Sequence, residues 1–255
     1  MSGTARVRVI FLGTNGWYDT DTGNTVCILI RTGDYEIILD AGNGLYKLDR
    51  YIQEGHGKPV YLFLSHFHLD HIIGLHTLNK FKFRYGLSIC GPMGTRDTLE
   101  TFINAPFTAP ISELPFSVNT YELPDEADDL PFMVEARELR HPSLTLGYRF
   151  AIEGKVISYC PDTGFCENAI HLARSSDLLI TECAYKSGQS SENWPHLNPE
   201  TAARIAREAG ARNLALVHFD AEIYKTLGER KESERVARKI FKNTFMTTDD
   251  MQIDL

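Results

Sequence analysis

The chain has 255 residues, of which 43% are hydrophobic and 24% are charged, so it can bury a full core, and its composition excludes disorder, a coiled coil and collagen. Twenty-six basic residues against 34 acidic ones give a net charge of −8, the wrong sign for a protein that holds nucleic acid on a broad basic surface. No linker-like stretch divides the chain, so residues 1–255 are predicted to form a single domain.

The compartment is predicted from the first residues and from the cysteines. Residues 1–11 hold no apolar run of signal-peptide length, and no stretch of the chain approaches the roughly 20 apolar residues that span a membrane. The five cysteines are scattered, without a Cys-x-x-Cys pair, as is typical of reduced thiols. We therefore expect a cytoplasmic protein with no membrane partner, no disulfide and no zinc ribbon.

Short β-branched and aliphatic runs predict buried strands along the whole chain. They lie at residues 7–12, 25–30, 36–39, 60–64, 87–90, 156–159, 178–181 and 214–217. Amphipathic patterns predict helices after Asp70 and at residues 96–103, 167–175, 198–209 and 232–241. The pattern is clearest at residues 198–209, where Asn198 is the N-cap, Pro199 the first helical residue and Gly210 the stop signal. This mixture predicts a layered α/β architecture.

Residues 104–131 differ in composition from the rest of the chain. They hold five of the 11 prolines and an acidic cluster at residues 125–129. This composition favours a long surface connection, and the alternative is a loop that borders a functional site.

The most informative segment is YLFLSHFHLDHIIG, residues 61–74, in which an apolar strand ends in four potential metal ligands. Because residues i and i+2 of an extended chain share a face, His66 and His68 lie on the same side. Asp70 and His71 follow where the chain turns into a helix, and they can face a second ion. A packing role is disfavoured, since three imidazoles and a carboxylate at the end of a buried strand need partners that offset their desolvation.

The motif His66-x-His68-x-Asp70-His71 resembles the signature of the metallo-β-lactamase superfamily, whose fold is an αββα four-layer sandwich with metals at one edge. Three later residues, each following a predicted strand, resemble by position the third histidine, the bridging aspartate and the last histidine of that family: His141, Asp162 and His218.

The resemblance implies a complete set of seven ligand positions for two divalent metal ions. One ion would be held by His66, His68 and His141, the second by Asp70, His71 and His218, and Asp162 would bridge both. Imidazole and carboxylate ligands suit zinc, and also manganese or iron. Two such ions would share a water and lower its pKa, so the expected nucleophile is a metal-bridging hydroxide.

Three further segments resemble the ribonuclease Z-like, phosphodiesterase branch of the superfamily: residues 141–149, 162–185 and 196–219. In that branch a glutamate and a histidine, matched here by Glu182 and His196, are thought to pair so that the histidine protonates the leaving oxygen. The pairing suits a diester, which must expel an alkoxide. The candidate catalytic residues are thus Asp70, Glu182 and His196.

The segment between His141 and Asp162 bears on the substrate. Ribonuclease Z enzymes that mature tRNA grip it with a long arm inserted at this point, whereas here Asp162 follows His141 by only 21 positions, which leaves room for one hairpin at residues 146–159. Together with the net charge of −8, this disfavours folded tRNA. We expect a small phosphodiester such as a cyclic nucleotide, or a short nucleic acid.

Several side chains are candidates for substrate contacts. Trp17 and Tyr18, in the loop after the first strand, are candidates to stack on a base. Tyr148, Arg149 and Lys186 are candidates to meet phosphate oxygens. For each of them, packing or a solvated surface position is the alternative interpretation.

Two other functions share the same seven residues. The first is a thioester or lactone hydrolase on the same metal site, for which His196 would be unimportant. The second is a non-catalytic metal-binding module, which is disfavoured because no ligand position is lost. The resemblance also implies a homodimer.

Overall fold

The structure, a computed structural model, describes residues 7–53 and 55–255. In chain order its strands are β1 Arg8–Gly13, β2 Asn15–Gly16, β3 Cys27–Arg31, β4 Glu36–Leu39, β5 Val60–Phe63, β6 Leu87–Pro92, β7 Val118–Leu123, β8 Met133–Glu138, β9 Leu146–Ile152, β10 Lys155–Cys160, β11 Leu178–Glu182, β12 Leu214–Val217, β13 Phe219–Asp220, β14 Thr244–Met246 and β15 Met251–Asp254. The α-helices are α1 Leu69–Ile72, α2 Thr95–Phe102, α3 Glu167–Ala173, α4 Pro199–Ala209 and α5 Leu227–Arg238, and 3₁₀ helices cover Asn43–Arg50, Ile73–Lys80, Ile111–Glu113 and Ala127–Asp129. Within this part of the chain, no helix is both long enough and apolar enough to cross a membrane.

The longer strands form two mixed sheets. The first sheet has seven strands in the spatial order β15, β1, β3, β4, β5, β6, β7, and the second has six in the order β14, β12, β11, β10, β9, β8. The strands from β4 to β7 are mutually parallel, and so are β10, β11, β12 and β14. Parallel neighbours end at the same edge of a sheet, so each sheet gathers the residues that follow its strands at one edge.

The apolar residues pack in three layers around these sheets. One cluster lies between the sheets and includes Phe63 of the first and Phe150 of the second. A second cluster, which includes Leu75, covers the outer face of the first sheet, and a third, which includes Ile205, covers the outer face of the second. Both faces of the central strands are therefore buried, which explains their continuous apolar runs. The order helix, sheet, sheet, helix confirms the predicted αββα sandwich.

Most predicted elements are present. All eight predicted strands form, and those at 36–39 and 214–217 have the predicted bounds. The hairpin predicted at residues 146–159 is the antiparallel pair β9 and β10. Helix α4 begins after Asn198, whose side chain accepts a hydrogen bond from the backbone N–H of Thr201, and it ends before Gly210, whose φ is +63°.

Three local predictions are wrong in part. The helix predicted at 232–241 begins at Leu227, because Thr226 and Glu229 form a capping box one and a half turns earlier. The helix predicted after Asp70 is a single α turn that continues as a 3₁₀ helix. Residues 104–131 are more than a connection, since β7 lies within them and pairs with β6.

We propose that the chain folds as one domain, since both sheets contribute to the cluster between them. The chain has two tryptophans, Trp17 and Trp194, and the variants Trp17→Phe and Trp194→Phe each leave one as a reporter. We expect the urea unfolding curves measured by fluorescence and by far-UV circular dichroism to coincide in a single transition. Two separated midpoints would argue against a single domain.

Candidate metal centre and active site

Strand ends from both sheets converge on one edge of the sandwich. β8 runs antiparallel to β9, and β9 runs antiparallel to β10, so β8 ends on the same side as β10. A polar residue lies at or just after the carboxyl end of each of six strands. These residues are Asp40 after β4, His66 after β5, His141 after β8, Asp162 after β10, Glu182 at the end of β11 and His218 after β12. Residues separated by up to 178 positions in the chain are therefore brought to one place by the topology.

The structure brings together all seven residues that the sequence predicts as ligands. They form two groups in which the potential ligand atoms lie within 4.8 Å of one another: His66, His68, His141 and Asp162 in the first, and Asp70, His71 and His218 in the second.

The carboxylate of Asp162 faces both groups. Its Oδ1 lies 3.2 Å from Nε2 of His71 and 3.2 Å from Nε2 of His218. Its Oδ2 lies 3.9 Å from Nε2 of His66. One oxygen is thus directed to each group, which is the geometry of a bridging carboxylate.

The arrangement of ring nitrogens fits divalent cations. Nε2 of His66 is fully buried and has no hydrogen-bond partner among the described residues. A buried polar atom without a partner is costly in a protein that binds nothing there. Nε2 of His71 faces Nε2 of His218 at 3.1 Å, and Nε2 of His141 faces Nδ1 of His68 at 3.4 Å. Lone pairs that converge in this way, together with carboxylate oxygens, are the donor set that zinc, manganese and iron accept.

The electrostatics of the first group favour metal binding. Burial lowers the pKa of His66 well below its usual value and lowers that of His141 to about 4. Burial alone would raise the pKa of Asp162, but the charges of His218 and His71 more than offset it, so the pKa is lowered. Neutral imidazole and ionised carboxylate are the protonation states that ligate metals.

Sequence reasoning missed Asp40, which orients the second group. Its buried carboxylate accepts hydrogen bonds from Nδ1 of His71 at 2.8 Å, from Oγ of Ser65 at 2.8 Å and from the hydroxyl of Tyr159 at 2.6 Å. Because a carboxylate only accepts, Nδ1 of His71 carries a proton, and the hydrogen bond turns Nε2 toward the site. The only sequence signal was an aspartate at the end of the strand EIILD. In the structure it has a φ of +54°, a backbone conformation that is uncommon for residues other than glycine.

Glu182 and His196 form the pair that the resemblance implies. Nδ1 of His196 donates to Oε1 of the buried Glu182 at 2.7 Å, and that oxygen also accepts from the backbone N–H of Thr163 at 2.7 Å. Burial lowers the pKa of His196, but the charge of Glu182 and the hydrogen bond to it outweigh burial and raise the pKa to about 9. A nitrogen of His196 also lies within 4.8 Å of potential ligand atoms of Asp162 and His218.

A cavity of about 430 Å³ opens onto both groups. The segment after β1, which includes the short strand β2, forms one wall. Its Gly16 approaches so closely that a Cβ there would lie 2.4 Å from the ring of His218, so only glycine fits. The backbone N–H of the next residue, Trp17, donates to Oδ2 of Asp70 at 2.7 Å. The residues that line the cavity are Gly16, Trp17, His68, Asp70, Asp162, Ala184, Trp194, His196, His218 and Asp220.

The candidates for phosphate contacts do not reach this cavity. Lys186 pairs with Glu229 at 2.6 Å, and the guanidinium of Arg149 donates to two backbone carbonyls. The hydroxyl of Tyr148 is buried and donates to the carbonyl of Leu64 at 2.6 Å. In this structure these three side chains are engaged elsewhere and do not line the cavity.

Comparisons with known proteins identify the family. The chain matches the family described as the Beta-lactamase superfamily domain over residues 35–219, most of its length, and it belongs to this superfamily. The metallo-β-lactamase resemblance seen in the sequence is confirmed. The chain is thus a member of a hydrolase family.

Curated relatives that are similar to the chain in sequence include a ribonuclease Z and a metallo-hydrolase. The chain is 28% identical to ribonuclease Z of Pyrococcus abyssi over 83% of this chain and 86% of the relative. It is 26% identical to the probable metallo-hydrolase YhfI of Bacillus subtilis over 84% of this chain and 87% of the relative.

Solved structures share the fold. The crystal structure of YhfI from Bacillus subtilis aligns with a TM-score of 0.81 at 23% identity, covering 98% of this chain and 100% of that one. Human tRNase Z, short form, aligns with a TM-score of 0.73 at 23% identity, covering 96% and 98%. These likenesses show that the chain has the metallo-β-lactamase fold.

The role of Asp40 can be tested with Asp40→Asn, since asparagine also tolerates a positive φ. Loss of the charge that holds His71 should weaken zinc binding about 10- to 100-fold. The measurement is a titration against a chromophoric chelator. Asp34→Asn, on an exposed turn, is the matched control and should bind zinc as the parent does. Equal affinity in the two variants would show that Asp40 does not support the site.

Proposed function

We propose that the protein is a dinuclear metal-dependent phosphodiesterase that acts on a small or nucleotide-like diester. The observation that carries the proposal is the hydrogen-bonded pair of Glu182 and His196 beside the carboxylate of Asp162. A hydrolase that expels a good leaving group needs no proton donor, whereas a diesterase that expels an alkoxide does.

Two divalent cations would occupy the two groups. His66, His68 and His141 would hold one, Asp70, His71 and His218 would hold the second, and Asp162 would contact both. Zinc is the ion we propose, with manganese and iron as alternatives that the same ligands accept. Bound there, such ions supply Lewis acidity to a phosphoryl oxygen and lower the pKa of a coordinated water.

The remaining chemistry belongs to the chain's own residues. Glu182 holds Nδ1 of His196 and is itself fixed by the backbone N–H groups of Thr163 and Ala184. The ring of His196 therefore keeps one orientation, with its Nε2 available to protonate the oxygen that leaves. Asp70 is positioned by the N–H of Trp17 and by His218, so the loop that carries Trp17 is tied directly to the reacting centre.

The proposal of a small substrate is supported by charge and by the hairpin β9–β10. The net charge is −8, and the described residues that line the cavity include three aspartates and no lysine or arginine. A folded RNA gains most of its affinity from phosphate contacts with basic side chains. The two-residue turn between β9 and β10 leaves no arm to provide them.

The first test is turnover of bis(p-nitrophenyl) phosphate by protein stripped with a chelator and reloaded separately with zinc, manganese or iron. We expect turnover to be lost on stripping and restored by at least one ion. No turnover with any ion, in protein shown to hold two metals per chain, would contradict the proposal and favour the thioester or lactone hydrolase.

The role of His196 as a proton donor is tested with two substrates whose leaving groups differ in basicity. His196→Ala should lower kcat/KM on a dinucleotide, whose leaving group is an alkoxide, by about 10²- to 10⁴-fold. On bis(p-nitrophenyl) phosphate, which expels a much weaker base, the loss should be small. The control is His171→Ala, which changes a partly exposed histidine that pairs with Glu135. Equal losses of His196→Ala on both substrates would exclude its action as a proton donor.

A further inference from the structure

Both tryptophans of the chain stand at the mouth of the same cavity. The sequence contains two, Trp17 and Trp194, and both line the space that opens onto the histidines. Their side chains are 63% and 48% exposed. Two such large apolar rings exposed to water beside a polar centre are unusual on a surface without a binding role.

Trp194 is held against the first ligand group. Its ring stacks on His68 with a centroid distance of 5.6 Å and an interplanar angle of 11°, and it meets His141 edge-on at 5.6 Å. Its backbone is fixed at both polar groups, since its N–H donates to Oγ of Ser191 and its carbonyl accepts from the hydroxyl of Tyr185. The ring is therefore ordered before a ligand arrives, which lowers the entropic cost of binding.

Trp17 is held against the second ligand group. Its N–H donates to Asp70, and its φ of +73° turns the side chain out of the strand direction. Its ring packs edge-on against Tyr18 at 5.2 Å, and the hydroxyl of Tyr18 donates to Glu222 at 2.7 Å. One tryptophan thus stands beside each of the two groups.

The charges around the cavity limit what lies between these rings. Its described lining residues carry the carboxylates of Asp70, Asp162 and Asp220 and include no lysine or arginine. Nearby lysines are engaged elsewhere, Lys186 with Glu229 and Lys225 with Glu222. A second phosphate, in addition to the one at the metal groups, would meet carboxylates and no lysine or arginine. An uncharged planar group would instead meet aromatic faces.

We propose that Trp17 and Trp194 form an aromatic subsite that holds a nucleobase joined to the scissile phosphate, and that the preferred substrate carries a single phosphate. This inference rests on the proposed phosphodiesterase function and specifies its substrate class. The two tryptophans are specificity-determining residues, and they leave the chemical step to the residues of the metal centre.

The test uses the tryptophans as reporters of binding, independently of turnover. Zinc-loaded protein is titrated with adenosine 5′-monophosphate and with ribose 5-phosphate, which carries the same phosphate without a base. We expect the nucleotide to quench the fluorescence and to bind at least tenfold more tightly. Trp194→Ala and Trp17→Ala each leave one reporter, and each should weaken nucleotide binding by about 5- to 150-fold while leaving ribose 5-phosphate unchanged.

The matched control is Phe107→Ala, an aromatic residue that is 66% exposed and lies outside the cavity lining. It should leave both affinities unchanged. Equal affinities for the two ligands in the parent protein, or equal losses for both in the tryptophan variants, would overturn the subsite. If the base preference holds but no diester is hydrolysed, the proposed function fails and the subsite stands. If diesters are hydrolysed without any base preference, only the subsite fails.

Discussion

The carboxylate of Asp162 is the constraint on which the rest of the site depends. It is almost fully buried, and its two oxygens face two different sets of histidines. Burying an ionised carboxylate costs several kcal/mol unless positive charge surrounds it. The histidines on both sides meet this need, and divalent cations between them would meet it more fully. The same geometry therefore explains why a charged group is tolerated at this depth, and it supports the proposal that the site binds divalent cations.

A ring of buried hydrogen bonds holds the groups that face the cavity. Asp40 fixes His71 from behind, and Glu182 fixes His196 in the same way. Asp40 follows a strand of the first sheet, and Glu182 ends a strand of the second. Each carboxylate also accepts hydrogen bonds from backbone N–H groups of neighbouring segments. The two sheets thus contribute equivalent supports, one to a proposed metal ligand and one to a proposed proton donor. Rigid strand ends are well suited to this task because the main chain there is already paired.

Much of the architecture could be predicted from local patterns. Buried parallel strands are continuous apolar runs, and the ends of α4 are signalled by Asn198, Pro199 and Gly210. The motif that begins at His66 contains four of the seven proposed ligands within six residues, so it could be identified from the sequence. The distant members, His141 and His218, were found because each follows a strand and because the family motif supplied their order.

Other features could not be predicted because they depend on tertiary contacts. An aspartate after a strand resembles an ordinary turn residue, so the role of Asp40 is visible only when His71, Ser65 and Tyr159 surround it. Trp194 lies in a segment without periodicity, and its place over His68 follows from how residues 183–198 cross the cavity. Strand β7 has few apolar residues facing outward, and it is defined by its pairing with β6 rather than by its own pattern.

The central claim is that two metal ions lie on either side of Asp162. The most direct measurement is an anomalous difference map from crystals of the zinc-loaded protein, recorded on both sides of the zinc absorption edge. The account predicts two peaks roughly 3.5 to 4 Å apart, one beside His66 and one beside His71, with the carboxylate of Asp162 between them. A single peak, or two peaks that do not share Asp162, would contradict it.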